Sequence, residues 1–432
     1  MERLSFLTPE QVRRIQREFG TPVYVYDQAT LEAQARTLLA VPAPYGLTAR
    51  FAMKALPSAA VVKTFVALGL HVDASSEYEV ERALRYGVPP EKIQITAQEA
   101  PTNLQDLVAR GVLFNACSLN QLRTFGKVAP EQHVSIRVNP GLGSGHSNRT
   151  NTGGPSSSFG IWHEHLDDVL AIVAQYGLKL SRMHTHIGSG TDPEMWNHCA
   201  KMSLAVAERL STVQTLSLGG GFKVGRMLNE KSADLQHIGK LIREDLEDFQ
   251  ARTGRALHLE LEPGTFLVAN AGAIVCTIRD IVDTGADGHT FIKIDSGMTE
   301  VIRPSMYGAQ HPIVVVPATD EPRATKQYLV VGHCCESGDI LTPEPGNPEG
   351  LNPRTLTEAQ VGDALVIGGS GAYCAGMSSK NYNSFPEAPE VMLDTEGNLH
   401  LIRRRQVLDQ ILANEVPLPD AVCASKQEPA LK

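Results

Sequence analysis

The chain has 432 residues and a formal net charge of -9 at pH 7, which argues against nucleic acid or an anionic membrane surface as its main partner. Its 42% hydrophobic and 20% charged residues are typical of a globular enzyme long enough for two domains. Apolar runs are too short for a membrane span, and the N-terminus lacks a signal-peptide pattern, so we expect a cytoplasmic protein. The 7 cysteines include no Cys-x-x-Cys pair, and no metal site is expected.

The N-terminal segment predicts one helix followed by one strand. Residues Pro9–Phe19 have a helical pattern, and the β-rich run Pro22–Tyr26 comes next. We expect this strand to join a second domain that is built mainly from the C-terminal part of the chain.

From residue 50 to residue 265, short β-rich runs alternate with longer amphipathic stretches. Glu77–Tyr86 has Val80, Ala83 and Leu84 on one helical face, and Ala200–Leu210 is a second such stretch. Eight strand–helix units in about 210 residues match a (β/α)8 barrel. A doubly wound open sheet is the alternative, but we favour the barrel because eight units is the number that closes. The eight runs are Arg50–Ala55, His71–Ser75, Ile93–Ala97, Leu113–Ser118, His133–Asn139, Arg182–Gly188, Thr215–Gly220 and His258–Glu262.

Polar residues and glycines gather at the carboxyl ends of these runs. In a barrel those ends form one rim, and the rim is where active sites lie. Such clustering favours an enzyme over a purely structural protein. The residues concerned are Lys54, Asp73, Asn139, His186, Gly219, Gly220, Gly221 and Glu262.

After residue 270 the pattern changes to strands that are separated by Gly, Pro and Asp turns, with no long helix between them. A mostly antiparallel β-barrel or sandwich domain is predicted. We therefore expect a barrel domain at 28–270, a β domain formed by 1–27 and 271–416, and a flexible tail at 417–432. The predicted strands are Ile274–Val282, Phe291–Ile294, Ile313–Val316, Gln327–Val331, Asp363–Ile367 and Val391–Leu393.

Several rim residues suit the binding of a phosphorylated carbonyl cofactor. Lys54 could form a Schiff base, although an ordinary snorkelling lysine is the alternative. Main-chain N–H groups of Gly219–Gly221 could surround a phosphate, unless the glycines only form a tight turn. Ser189 could donate to the same phosphate, and His186 could stack on a planar ring or be a core histidine. Glu262 could keep a heterocyclic nitrogen protonated, or be a surface carboxylate.

The second domain carries further reactive groups. The loop Cys334–Asp339 holds thiols and carboxylates, which suits a catalytic or substrate-binding loop better than zinc. Arg303 could bind a carboxylate, with the Tyr307 phenol nearby, although surface ion pairs are more common. The loop Gly368–Tyr373 exposes its main chain and ends in a hydroxyl donor.

Taken together, these motifs resemble those of the diaminopimelate decarboxylases, which belong to the pyridoxal-phosphate decarboxylases that include ornithine and arginine decarboxylases. The likeness covers roughly residues 20 to 410, and it implies a barrel, a β domain and a homodimer with shared active sites. The motifs are Phe51-Ala-Met-Lys54, His184-Thr-His-Ile-Gly-Ser189, Gly219–Gly221, Glu262-Pro-Gly264, Cys335-Glu-Ser-Gly-Asp339 and Gly371-Ala-Tyr373.

The resemblance implies a role for each matching residue. Lys54 would carry pyridoxal phosphate, His186 would stack on its ring, and Glu262 would hold the pyridine nitrogen. Cys335 and Glu336 would reach the neighbouring subunit's site, where Cys335 would reprotonate Cα. The remaining cofactor contacts would be Asp73, Ser189, Gly219, Gly220, Gly221, Gly264 and Tyr373, and the substrate contacts Arg303, Tyr307, Glu336 and Tyr373.

Two departures from the family pattern leave the substrate open. Thr265 stands where the family has an arginine that contacts the distal carboxylate of the substrate, and Ser158 stands where it has a lysine; Arg149 is a candidate replacement. We expect conversion of meso-diaminopimelate to lysine and CO2, with decarboxylation of another polar or carboxylated amino acid as the alternative. An amino-acid racemase fits less well, because the alanine racemases, which pair a similar barrel with the same cofactor, do not carry the Cys335-Glu-Ser-Gly-Asp339 loop in this form. A catalytically silent regulator fits less well, because Lys54, Glu262 and Cys335 are all present.

Overall fold

The computed structural model of the protein describes residues 2–141, 153–186 and 190–419. Ser189 and Arg149 lie outside these residues, as do most of the loop 140–158 and of the tail 417–432. No helix in the described ranges is long and apolar enough to cross a membrane. The expected cytoplasmic location remains a prediction.

The N-terminal segment forms helix α1 (Pro9–Phe19) and strand β1 (Val23–Asp27). The Thr8 side chain accepts a hydrogen bond from the main-chain N–H of Gln11, while the Gln11 side chain accepts one from Thr8, so that the first turn is capped at both positions. All five residues of β1 are buried.

The first sheet closes into a barrel of eight parallel strands. The last strand, β10, pairs with the first, β2, and β5 pairs with β6, while the short β7 only extends the edge of β6. The predicted barrel is confirmed, and the open doubly wound sheet is wrong. The strands are β2 (Leu47–Ala52), β3 (His71–Ala74), β4 (Ile93–Ile95), β5 (Leu113–Ala116), β6 (His133–Asn139), β7 (Ile161–Trp162), β8 (Lys179–Thr185), β9 (Thr215–Ser217) and β10 (His258–Leu261).

Helices connect these strands. The predicted helix at 77–86 is confirmed to within one residue, but the one predicted at 200–210 begins earlier, at Pro193. Asp192 caps that helix by accepting from the main-chain N–H of Glu194, and proline is favoured in a first turn. The helices are α2 (Gln28–Leu39), α3 (Ala59–Ala67), α4 (Glu77–Arg85), α5 (Leu104–Ala109), α6 (Leu119–Val128), α7 (Leu166–Tyr176), α8 (Pro193–Arg209), α9 (Leu235–Thr253) and α10 (Thr265–Val268).

Most of the barrel strands end earlier than predicted. The run expected to end at residue 55 ends at Ala52, and the run expected to end at residue 220 ends at Ser217. The chain leaves the ladder at these points for a single 3-10 turn, Met53–Ala55, after β2 and for the loop that contains Gly219–Gly221 after β9. As a result Lys54, His186 and Glu262 each lie just beyond the last residue of a strand.

A buried ion-pair cluster lies between the barrel strands near their middle. Glu260 on β10 accepts hydrogen bonds from Arg50 on β2, at 3.1 Å, and from Arg182 on β8. Removing one partner of such a buried cluster typically costs about 3–5 kcal/mol. Glu260 is therefore a structural residue of the barrel wall, whereas Glu262 lies at the rim.

The second sheet is mostly antiparallel, as predicted. Its strand order is β17-β14-β12-β11-β1-β19-β20, and β18 joins β11 to β13; β1 with β19 and β12 with β14 are its parallel pairs. β15 and β16 form a separate two-stranded sheet. The elements of this part of the chain are β11 (Gly272–Asp283), β12 (Thr290–Ile294), α11 (Arg303–Tyr307), β13 (Ile313–Val316), β14 (Thr325–Val331), β15 (Pro343–Glu344), β16 (Asn347–Leu351), β17 (Arg354–Thr357), β18 (Ala364–Ile367), β19 (Glu390–Leu393), β20 (Leu399–Arg403) and α12 (Leu408–Leu412).

The N-terminal strand belongs to this second sheet, where β1 lies between β11 and β19. Helix α1 packs Val12 and Ile15 into the same apolar cluster as Val23 and Val25 of β1. The chain thus leaves the second sheet after β1, enters the barrel at residue 28 and returns to the second sheet after α10. These two crossings place the two sheets side by side.

Candidate active site

The carboxyl ends of the barrel strands open into a cavity of about 1320 Å³ that the second sheet and its loops close on the other side. Ten of the predicted site residues line it. They are Lys54, Asp73, His186, Gly220, Gly221, Glu262, Gly264, Arg303, Tyr307 and Tyr373.

Three other predicted site residues lie outside this cavity. Gly219 sits behind it with a φ of 69°, where a Cβ would be 2.5 Å from the His186 ring. Cys335 and Glu336 are exposed on a loop of the second sheet, and Glu336 borders a smaller cavity of about 590 Å³. These two side chains therefore do not belong to the cavity of their own chain.

Glu262 is a buried carboxylate with three side-chain partners from three different strands. His184 Nε2 lies 3.1 Å from Oε2, while Ser217 and Gln94 donate to Oε1 at 2.7 and 3.0 Å. Burial by itself raises the pKa of Glu262, but the charge and hydrogen bond of His184, with the donors Ser217 and Gln94, outweigh it and hold this pKa below its ordinary range. Glu262 is therefore ionised at neutral pH.

Asp73 on β3 lies close to this charge, and its pKa is shifted upward, whereas that of Glu262 is shifted downward. Burial and the negative charge of Glu262 raise the pKa of Asp73 from 3.8 to about 7, against the opposing effects of Lys54 and of hydrogen bonds from Thr96 and Gln94. Two neighbouring buried carboxylates do not both ionise easily, so that one of them retains a proton. Below about pH 7, Glu262 therefore carries the negative charge and Asp73 carries the proton.

His186 follows β8 and is held as a neutral ring. The main-chain N–H of Gly220 donates to its Nδ1 at 3.0 Å. Burial, and then the positive charge of Arg137, lower the pKa of His186 well below its ordinary value. Its ring lies nearly parallel to that of His184, with centroids 6.3 Å apart, and it lines the cavity beside the glycine loop.

The glycine loop approaches the end of β10 more closely than a side chain would allow. A Cβ on Gly220 would be 2.3 Å from the carbonyl oxygen of Glu262, and Gly221 has a φ of 99°. Gly264, on the opposite side, would place a Cβ 2.9 Å from that of Ala55. Main chain rather than side chains therefore forms this part of the cavity wall.

Lys54 does not end a strand, as the sequence suggested. It lies in a single 3-10 turn, Met53–Ala55, that follows β2, and its side chain is exposed to the cavity rather than buried. Among the described residues no carboxylate forms an ion pair with its amine. Tyr373 fixes this turn from the second sheet, because its main-chain N–H donates to the carbonyl of Ala55 at 2.8 Å.

Arg303 and Tyr307, both on α11, enter the cavity from the second sheet. The guanidinium of Arg303 donates to Nε2 of His311 at 2.8 Å, and Nδ1 of His311 donates to the carbonyl of Gly368 at 2.9 Å. Burial and the charge of Arg303 lower the pKa of His311 well below its ordinary value, so that this histidine stays neutral and leaves the charge of Arg303 uncompensated.

The loop that carries Cys335 is shaped by Asp339. The carboxylate of Asp339 accepts from the main-chain N–H groups of Met298 and Cys334 at 2.7 and 3.0 Å, and that of Cys335 donates to Asn383 at 2.8 Å. The backbone of the loop is thereby fixed, while the Cys335 side chain remains exposed.

Sequence reasoning missed several residues of the site. His184, Ser217 and Gln94 bind Glu262, and Arg137 lines the cavity with its guanidinium 4.7 Å above the ring of Phe159. The alternation of β8 places His184 on the same side as His186, which would have indicated it. The same alternation on β6 places Arg137 on the side of Asn139. Gln94 has no such local pattern, because only the folded barrel brings it to the rim.

The residues present fit pyridoxal phosphate. Glu262 supplies an ionised acceptor for a ring N–H, His186 a flat neutral surface, Lys54 an amine, and the glycine loop main-chain N–H groups for a phosphate. Arg137 Nη2 and His184 Nδ1 are buried and have no hydrogen-bond partner in the described part of the chain, which is costly unless a bound group satisfies them. Fold and site together define a barrel enzyme with a cavity for a phosphorylated pyridine.

Comparison with known proteins gives the same result. Residues 29–269 match the model of the pyridoxal-dependent decarboxylase pyridoxal-binding domain. The chain is 37% identical to the diaminopimelate decarboxylase of Escherichia coli K12 over 95% of this chain and 97% of that one, and 38% identical to that of Streptomyces coelicolor over 92% and 90%. A crystal structure of diaminopimelate decarboxylase superposes with a TM-score of 0.88 at 36% identity, covering 94% and 96%.

The chain therefore belongs to the family of pyridoxal-dependent decarboxylases, and its cofactor is pyridoxal phosphate. The resemblance drawn from the sequence motifs is confirmed. The racemase and the silent regulator are set aside, since the family and its high-coverage relatives are decarboxylases.

The opposed pKa shifts of the two carboxylates predict a pH effect on stability. Asp73 keeps its proton up to about pH 7 when folded but loses it near pH 3.8 when unfolded, so that it destabilises the fold increasingly as the pH rises through this window. In cofactor-free protein, Asp73→Asn should therefore gain stability relative to wild type as the pH rises, by at most about 1.4 kcal/mol per pH unit. Urea unfolding midpoints measure this.

The matched control for that experiment is Asp287→Asn, in an exposed turn. Its difference from wild type should not follow the same curve. A constant difference between Asp73→Asn and wild type from pH 5 to pH 8 would contradict the assignment of the proton to Asp73.

Proposed function

We propose that this enzyme decarboxylates meso-diaminopimelate to L-lysine and CO2. The observation that carries the proposal is the cavity itself, where Lys54 and the ionised Glu262 stand on the barrel side and the uncompensated guanidinium of Arg303 stands on the other. Such a cavity suits an amino acid that has a second carboxylate at its far end. Relatives that share 37% and 38% identity over nearly the whole chain are diaminopimelate decarboxylases.

The barrel side is arranged to bind and polarise the cofactor. Pyridoxal phosphate, when bound, supplies an electron sink for the pair released when the bond between Cα and the carboxylate breaks. We propose that Glu262 holds a proton on the ring nitrogen, because a buried carboxylate with a low pKa stabilises a neighbouring cation. The neutral ring of His186 would lie against the cofactor, and Asp73, whose pKa is raised to about 7, would add little negative charge below that pH.

The phosphate is assigned to the main-chain wall of the cavity. We propose that the N–H group of Gly221, the Gly264 region and the Tyr373 hydroxyl surround it, with Gly219 allowing the turn and Gly220, whose own N–H donates to His186, leaving room for it. The role expected for Ser189 stays a prediction, because this residue lies outside the described ranges. Lys54 would supply the amine that holds the cofactor covalently, and the amine of the substrate would compete for the same attachment. Its position in a turn fixed by Tyr373 keeps that amine at the cavity surface.

Cys335 and Glu336 complete the site of the other subunit in this proposal. Both side chains are exposed and lie outside the cavity of their own chain, which is expected if a homodimer pairs two loops with two cavities. The thiol of Cys335 then delivers a proton to Cα, and Glu336 acts with Arg303 and Tyr307 on the distal end of the substrate. The same proposal divides the chain into a cofactor domain at 28–270 and a β domain at 1–27 and 271–416.

Thr265 supports a second candidate substrate. It lines the cavity where an arginine stands in the family pattern, and a pocket that has lost a cation favours a less acidic amino acid. Steady-state decarboxylation of meso-diaminopimelate compared with lysine and ornithine decides between them. We expect the highest kcat/KM with diaminopimelate.

The first prediction from this proposal concerns Lys54. Reduction of the purified enzyme with borohydride should fix the cofactor to the peptide that contains Lys54, and Lys54→Ala should lose both this label and decarboxylase activity. Lys223, a second lysine of the same cavity, gives the control, because Lys223→Ala should still be labelled at Lys54. A label on Lys223 in the wild-type enzyme would refute the assignment.

The second prediction concerns the shared sites. Lys54→Ala and Cys335→Ala proteins should each be inactive, but a mixture that exchanges subunits should recover activity, because each hybrid dimer contains one intact site. Random exchange of equal amounts gives about a quarter of the wild-type sites. Analytical ultracentrifugation with differently labelled variants verifies exchange. An inactive mixture after verified exchange would mean that Cys335 does not act across a subunit interface.

A further inference from the structure

Arg226 is a charged residue of the cavity that no sequence motif indicated. It follows the glycine loop, and its Nε donates to the carbonyl of Gly369 at 2.9 Å. The stem of the side chain packs so closely on that loop that a Cβ on Gly369 would lie 2.9 Å from its Cγ and Cδ. The second sheet thus holds the guanidinium in one position at the cavity wall.

One nitrogen of this guanidinium has no partner. Nη2 of Arg226 is shielded from solvent and makes no hydrogen bond within residues 2–141, 153–186 and 190–419. An unsatisfied charged donor is costly to bury. A ligand with anionic oxygens would satisfy it.

The nearby carboxylate does not neutralise Arg226. Glu230 accepts from the main-chain N–H groups of Arg226 and Met227 at 2.8 and 3.2 Å through Oε2, and its Oε1 lies 3.8 Å from Nζ of Lys223. Within the described chain no carboxylate lies within ion-pair distance of either Arg226 or Arg303. Neither guanidinium therefore has an ion-pair partner in the described chain, although the charge of Glu230 acts on both from a greater distance.

The electrostatics of Arg226 agree with this geometry. Burial, and then the positive charge of Arg303, lower the pKa of Arg226 to about 9. The side chain remains charged at neutral pH, but the surrounding protein disfavours that charge. An anion bound between Arg226 and Arg303 would relieve the repulsion between them.

We propose that Arg226 binds the distal carboxylate of the substrate together with Arg303. It would replace the arginine that the family has at the position of Thr265. This inference rests on the proposed function, since it requires a substrate with a second carboxylate. Thr265, Arg226 and Arg303 line the same cavity. The guanidinium that is absent at Thr265, at the start of α10, can therefore be supplied by Arg226, which follows the glycine loop. Guanidinium and carboxylate groups match in a bidentate geometry.

The phosphate of the cofactor is the other source of the same anion chemistry. The main chain of Gly220, Gly221 and Gly264 already forms the part of the wall that we assign to the phosphate, whereas the charge of Arg303 acts directly on Arg226. We therefore assign Arg226 to the substrate, and the experiment separates the two sources.

The test compares two ligands that differ only in the distal carboxylate. L-Lysine retains this group and 1,5-diaminopentane lacks it. In the holoenzyme, Arg226→Gln should weaken L-lysine binding roughly ten- to a hundred-fold and leave diaminopentane binding and cofactor content unchanged. The KM for diaminopimelate should rise by a similar factor. Arg243→Gln, which removes an exposed positive charge from α9, is the control and should change neither ligand.

A second substitution makes the test specific. Adding Thr265→Arg to Arg226→Gln should restore L-lysine binding, because it returns a guanidinium to the same cavity. Equal losses for both ligands, or a lower affinity for pyridoxal phosphate, would overturn the inference in favour of a role in folding or phosphate binding. An Arg226→Gln enzyme indistinguishable from active wild type would refute the inference alone. A wild-type holoenzyme that neither turns over diaminopimelate nor binds L-lysine would refute the proposed function and this inference with it.

Discussion

The negative charge of Glu262 is the feature on which the rest of the site depends. Placing a carboxylate where solvent cannot reach it costs several kcal/mol, on the order of the whole stability of many domains. Three side chains offset this cost, and they come from three separate strands, since Gln94 lies on β4, His184 on β8 and Ser217 on β9. They converge only because the eight strands close into a barrel.

That charge organises its neighbours. Together with burial, it raises the pKa of Asp73. Burial and the charge of Arg137 keep His186 neutral against the opposing effect of Glu262, and Lys54 stands without an acidic partner among the described residues. The second sheet completes the arrangement from outside, because Tyr373 fixes the turn of Lys54 and the loop at Gly369 holds Arg226. The chemistry of the barrel rim therefore relies on contacts that the barrel does not make by itself.

Much of this could be predicted from the sequence. Eight short β-rich runs indicated the barrel, and Lys54, His186 and Glu262 were expected at its rim, because polar residues at strand ends are visible locally. Lys54 was nevertheless placed at the end of a buried strand rather than in an exposed turn. The role of Arg226 was not visible, because its contact with Gly369 joins residues 143 positions apart, and long-range pairing leaves no local pattern.

A single measurement tests directly whether Glu262 holds a proton on the ring nitrogen of the cofactor. The 15N chemical shift of enzyme reconstituted with 15N-labelled pyridoxal phosphate reports that proton. We expect the shift of a protonated pyridine in the wild-type enzyme and that of an unprotonated pyridine in Glu262→Gln, with the cofactor bound in both. An unprotonated nitrogen in the wild-type enzyme would contradict it.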